Sequence, residues 1–316
     1  MEYFDLDLPS TSQSSNSGST LAPTDVQDQG TQGGALPPGA AGAVSITSVH
    51  TPLDHPNAPT VSTVFHPMLL FDGLAPNFIL LTTDGVHFYV HTHHIIAVSM
   101  DRMGMLLPSN VVNIMLHIIY GIQCLQYAPN LETTETALEA LHLQYGVSIQ
   151  VHAAPHLPLY QLILSYAPFC PLEAYTVAAH YALEELAIAT SNHLLAYDLS
   201  EVSDDAARKM GPIYLKRLFI LHQSRLAALH DILFRPPREH EPAVGCSGEQ
   251  RQQLTGDWIM TVEQLVWQAS PSTSTDTLRS LLEPIGAAIT CAQCAVMLQG
   301  RVQGVVNEWS AVKGTI

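Results

Sequence analysis

Residues 78–99 read Phe78-Ile79-Leu80-Leu81-Thr82-Thr83-Asp84-Gly85-Val86-His87-Phe88-Tyr89-Val90-His91-Thr92-His93-His94-Ile95-Ile96-Ala97-Val98-Ser99. Residues 77–82 form an apolar run of strand type, and residues 86–90 alternate as a second strand. Between them stands Asp84-Gly85, a strong short-range hairpin signal. A two-residue hairpin turn needs positive φ, which glycine adopts at little cost, so Gly85 is expected in the turn. Residues 91–99 read as a short helix. One hairpin therefore opens the ordered chain, which is expected to begin near Phe65.

Beyond Ser109 the period becomes helical. Val112, Met115, Leu116 and Ile119 share one helix face, and Ala137, Leu138, Leu141 and Tyr145 repeat the pattern, with Gly146 as a C-cap. A Pro- and His-rich connector over 153–158 precedes further helices over 159–166, 171–180 and 183–196, with Pro171 suited to a first turn. Ser203-Asp204-Asp205 caps a helix that ends at Gly211, and Pro212 opens a long amphipathic one to about Phe234. His222 lies on its apolar face and reads as a satisfied core histidine. Helices are expected again over 250–269, from Asp276 to Leu282 or beyond, and over 294–309. In the other direction, residues 1–64 are rich in Ser, Thr, Gly and Pro and hold no Lys or Arg, so a disordered tail is expected.

The balance of 28 acidic and 12 basic residues gives a net charge of −16, which opposes direct binding to nucleic acid. The start of the chain is acidic, without the basic and apolar regions of a secretory signal. The longest strongly apolar stretch, residues 111–122, is too short to cross a bilayer, so no membrane partner is expected. Five cysteines are too few for a disulfide scaffold and point to a reducing compartment, cytoplasmic or nuclear.

The hairpin and the residues after it resemble the opening of a BTB/POZ domain of the fungal, basidiomycete type. That family shows a strand, Asp-Gly, a strand with an aromatic, then Val-His and a helix ending in an apolar run with Ala and Ser. Here these are Asp84, Gly85, Phe88, Val90, His91, Ala97 and Ser99. Residues 111–121 are similar to the family's helix with an aromatic-Gly end, and 131–146 to its Gln-Tyr-Gly helix. Residues 171–193, the Met210–Phe219 segment, Trp258, Cys291-x-x-Cys294 and Trp309 are similar to its later half. The likeness runs from about Asn77 onward. It departs between Ser99 and Ser109, where a short bridge replaces roughly 20 or more residues of a usual domain, including a strand and the region presented to cullin scaffolds. The resemblance implies an α+β, mostly α fold with a BTB/POZ-like core over 65–152 and a helical region over 159–316. It also implies a protein-binding function through self-association as a homodimer, with adaptor work on a cullin-type ubiquitin ligase or transcriptional regulation in some members.

Two groups of side chains invite a chemical reading. His91, His93 and His94 form His-x-His-His, a pattern that metal sites use, and they are the basis of an alternative reading as a metal-dependent enzyme. No carboxylate or cysteine nearby in sequence completes that set. The contrasting reading closes the hairpin with His91 and leaves His93 and His94 on the exposed side of a short helix. Cys291-Ala-Gln-Cys294 is half of a zinc knuckle, which Cys246 and His240 would complete if the fold brought them together. Structural zinc is the one cofactor considered, and packing of the three cysteines is its alternative. The carboxylate pairs Glu132/Glu135, Glu184/Glu185 and Asp204/Asp205 sit near helix starts or on exposed faces, where solvation suffices. No catalytic residues are assigned, and the chain is expected not to be an enzyme.

Overall fold

The computed structural model describes residues 60–96, 107–242 and 245–316. The fold is mostly helical with a small three-stranded sheet. The tail expected before residue 60, and Ala97 and Ser99 of the hairpin motif, lie outside the described residues.

The hairpin forms as expected: β2 (Phe78–Leu81) pairs antiparallel with β3 (Val86–Val90), with Leu80 opposite Phe88. Its turn differs from the expected two-residue form. Gly85 N–H donates to Thr82 O at 3.0 Å and Thr82 N–H to Val86 O at 3.1 Å, so residues 83–85 form a three-residue loop. Gly85 has φ of 79°, the left-handed residue with which such a loop rejoins its strand. The residue choice is the same because both turns demand positive φ beside the strand. Asp84 also reaches beyond the turn. Its carboxylate accepts from Ser109 N at 2.9 Å and Ser109 Oγ at 2.6 Å, tying the hairpin to the start of a helix.

Thr60–Val61, placed by sequence in the tail, forms β1 and pairs parallel with the other side of β3. Phe88 and Val90 of β3 are buried, so its second edge runs beside the core, where backbone groups need partners. A two-residue strand is too short to announce itself by alternation.

After α1 (Thr92–Ile96), helix α2 (Ser109–Tyr120) is buried nearly all round, through Val111, Val112, Ile114, Met115, Leu116, His117, Ile118 and Tyr120. The single apolar face expected for it is only part of what the core covers, and Ile119 of that face is half-buried. A helix apolar on every side belongs in the middle of a core. The same core takes in α3 (Leu131–Glu139) and α5 (Pro158–Tyr166), which pack on α2, and α4 (Ile149–His152), α6 (Pro171–His180) and α7 (Glu184–Ser191). Pro158 and Pro171 open their helices, where a missing N–H costs nothing. Ala174, Ala178 and Ala179 are buried on α6 and let its neighbours approach closely.

The long helix α8 (Asp204–Leu233) breaks at Gly211, with φ 78° and ψ 162°, before Pro212. Proline excludes the residue before it from helical geometry, and glycine accepts the conformation left over. The break falls where the sequence places it. The first apolar core runs from Phe65 to Leu218, with residues on both sides of the 153–158 connector. A second core begins at Leu229 and takes in α9 (Gly248–Gln268), α10 (Thr275–Leu282) and α11 (Ala292–Ser310). Trp258 and Trp309 are buried there, with indole N–H groups donating to Leu233 O at 3.0 Å and Thr273 O at 2.7 Å. Among the described residues, no helix is long and apolar enough to cross a membrane.

Candidate metal centre

Three pieces of chain meet at one end of the second core. Cys291 is the N-cap residue of α11, and Cys294 lies in its first turn. Cys246 precedes Ser247, whose side chain and that of Gln250 form a reciprocal capping box at the start of α9. His240 comes from the connector that leaves α8. Gln250 Nε2 donates to Thr290 Oγ1 at 2.9 Å, so the starts of α9 and α11 are tied together. Arg251 Nη1 donates to His240 O at 3.1 Å and holds the connector in place.

The side chains converge. Cys246 Sγ lies 3.6 Å from Cys294 Sγ, and His240 Nε2 lies 3.2 Å from Cys294 Sγ and 3.5 Å from Cys291 Sγ. One ligand atom from each of the four residues falls within 4.8 Å of the others. His240 Nδ1 is 2.6 Å from Glu241 O. A carbonyl only accepts, so Nδ1 carries the proton and the Nε2 lone pair faces the sulfurs. The thiols differ in acidity. The backbone N–H of Cys294 pulls the Cys291 thiol down to about 6. Burial first, and then the neighbouring thiols, push Cys294 up to about 12. The remaining cysteines stand elsewhere. Cys124 is in the first core, and Cys170 donates to Tyr166 O at 3.4 Å; burial raises both thiols.

The histidine triplet follows the second reading at His91 and His93 and departs from it at His94. His91 is buried, with Nδ1 3.1 Å from Tyr120 Oη and Nε2 3.0 Å from Leu74 O. Both ring nitrogens are engaged, and the ring joins hairpin to α2, so the three-histidine ligand set is not assembled. His93 and His94 instead gather with Asp72, a carboxylate from the 71–74 turn that sequence proximity did not supply. His94 is half-buried, stacked on Tyr120 at 4.8 Å, with Nε2 3.5 Å from Asp72 Oδ2. Asp72 and His93 are exposed. Of the other motif residues, Phe88 and Val90 are buried on β3 while Asp84 and Gly85 are exposed in the loop.

His222 is buried and bonds to the Leu194 backbone, but its Nε2 has no partner among the described residues, so it is only half satisfied by them. Of the carboxylates given no catalytic part, Glu184 pairs with Arg217 at 2.6 Å, Glu135 with Lys209 at 2.8 Å and Asp205 with Arg208 at 2.5 Å. Sequence reasoning passed over Arg225, a buried guanidinium 4.3 Å from the Trp309 ring that donates to three backbone carbonyls. Its signal, a lone Arg on a helix face, is too common to single out.

Comparison of the chain with protein-family models, curated proteins and solved structures found no match.

Proposed function

We propose that this protein is a binding module that works through apolar surface, in the manner of the BTB/POZ domains its hairpin resembles. Trp267 carries the reading. It lies on α9 with 90% of its surface exposed, and Met260, two turns earlier on the same face, is 68% exposed. An exposed Trp is costly in water and is among the commonest anchors of a protein interface. Val266 and Ala269, which flank Trp267 in sequence, join Leu226, Ala227 and Leu229 of α8 in lining a groove of about 410 Å³. A partner offering apolar side chains would fill that groove beside the indole.

Support for the BTB/POZ reading comes from the residues of the hairpin. Asp84, Phe88, Val90 and His91 each have a part in joining the sheet to α2: Asp84 and His91 by hydrogen bonds to Ser109 and Tyr120, the other two by burial. Self-association and adaptor work on a cullin-type ligase rest on that resemblance alone. Sedimentation of the full chain tests the first of these: a mass twice 34.3 kDa is expected, and a monomer at every concentration refutes it. Trp267→Ala tests the binding face. Partners captured by the native chain from its own cells should be lost from the variant while its melting temperature holds, and equal capture by both removes Trp267 from the interface.

A further inference from the structure

We propose that His240, Cys246, Cys291 and Cys294 bind one zinc ion, which clips the connector between α8 and α9 to the first turn of α11.

Three of the distances between ligand atoms lie close to those of a tetrahedron around a single metal. Zinc–sulfur bonds near 2.3 Å put sulfurs about 3.8 Å apart, and zinc–nitrogen bonds near 2.0–2.1 Å put nitrogen about 3.6 Å from sulfur. The structure has 3.6 Å between Cys246 and Cys294, and 3.2 and 3.5 Å from His240 to Cys294 and Cys291. All four ligand atoms fit inside 4.8 Å, the compass of one ion.

Two other accounts of the cluster explain less. A disulfide needs sulfurs about 2.05 Å apart, and joining Cys246 to Cys294 would leave Cys291 and the imidazole lone pair without a purpose. Simple packing accounts for buried Cys294, but Cys246 and Cys291 are only partly buried. Packing also gives no reason for His240 to turn a lone pair toward sulfur while Glu241 O fixes its tautomer. An outer hydrogen bond of this kind orients a histidine that ligates a metal. Three thiolates and one imidazole are a soft donor set in tetrahedral array, which selects zinc over oxygen-seeking cations.

The same geometry makes the site structural. Four protein ligands fill the tetrahedron and leave no position for water or substrate. The cavity beside Cys291 and Cys294 has a volume of about 60 Å³, well below the roughly 300–1,000 Å³ of small-molecule sites. What the ion does is close a loop. The ligands are up to 54 residues apart in sequence, and one ion would join the connector, the start of α9 and the start of α11 beside a small second core. Closing such a loop through a metal couples binding to folding.

The test uses the full chain purified without chelators. Elemental analysis should find one zinc per chain and no iron. Cys294→Ser and His240→Ala should each lose it, whereas Cys124→Ser and Cys170→Ser should keep it. Because a ligand variant can fail to fold, the native chain is also stripped and reloaded with Co²⁺ alone. The thiolate-to-cobalt charge-transfer band and the intense visible bands of a tetrahedral ion are then expected, and the pale spectrum of an octahedral ion overturns the proposal. Native protein without stoichiometric zinc, or with iron and acid-labile sulfide, overturns it as well. So does a Cys291→Ser/Cys294→Ser double variant that keeps its zinc.

Discussion

Replacing Arg225 by Met should cost about 4 kcal/mol of stability, although no ligand touches it. Its guanidinium is buried between the two apolar cores, in the stretch of α8 after Leu218 and before Leu229. Nε donates to Pro271 O at 2.8 Å, and Nη1 donates to Val312 O at 2.9 Å and Lys313 O at 3.0 Å. The plane lies 4.3 Å from the Trp309 ring. Met keeps the apolar stem and removes every donor. Pro271 is buried, so its carbonyl is stranded at about 2 kcal/mol. Val312 is half-buried and Lys313 exposed, so water recovers part of their loss, and together they contribute about 1 kcal/mol. The lost cation–π contact adds about 1 kcal/mol. For a chain of this size the melting temperature should fall by roughly 8–12 °C. Urea titration followed by Trp fluorescence and circular dichroism measures it, with Trp309 reporting on the site itself. Arg225→Lys should recover less than half, because one ammonium does not span three carbonyls. A loss under about 1 kcal/mol for the Met variant would refute the claim that this clamp holds residues 312–313 against α8.

Gly85→Val should lower stability by about 2 kcal/mol, since a β-branched residue is strained at positive φ. Nothing lies within 4 Å of the added Cβ, so no clash adds to this, and an unchanged denaturation midpoint would argue against the turn described. Ala182 has φ of 53° between α6 and α7; Ala182→Gly should therefore stabilise the fold by about 0.5–1 kcal/mol, and a lower melting temperature would count against the strain. Burial holds His117 and His222 below the usual imidazole pKa, which favours their neutral forms in the fold. Above about pH 6.5 both states are neutral there. As pH falls below that value the unfolded chain gains protons that the folded one resists, so stability should drop between about pH 7 and pH 5. His117→Gln should flatten that drop in a series of melts, and an identical pH profile would show that His117 is not its source.

What the sequence determined by itself is local. The Asp84-Gly85 turn, the prolines that open α5 and α6, Ser203 at the start of α8, and the break at Gly211-Pro212 each come from backbone preferences of a few adjacent residues. Those preferences act before any long-range contact forms, so they are legible in a string of letters. The tertiary structure decided whatever depends on partners distant in the chain. Thr60–Val61 became a strand only because β3 has a second edge against the core. His91 turned inward to Tyr120, and Asp72 arrived beside His93 and His94 from a turn whose carboxylate has no sequence signature. Four residues between 240 and 294 carried the right donor atoms in the sequence, but spacing along the chain does not bring atoms to within 4.8 Å of one another. Contacts between distant segments do that: Gln250 at the start of α9 bonds to Thr290 before α11, Arg251 holds the carbonyl of His240, and the sulfurs stand at those helix starts.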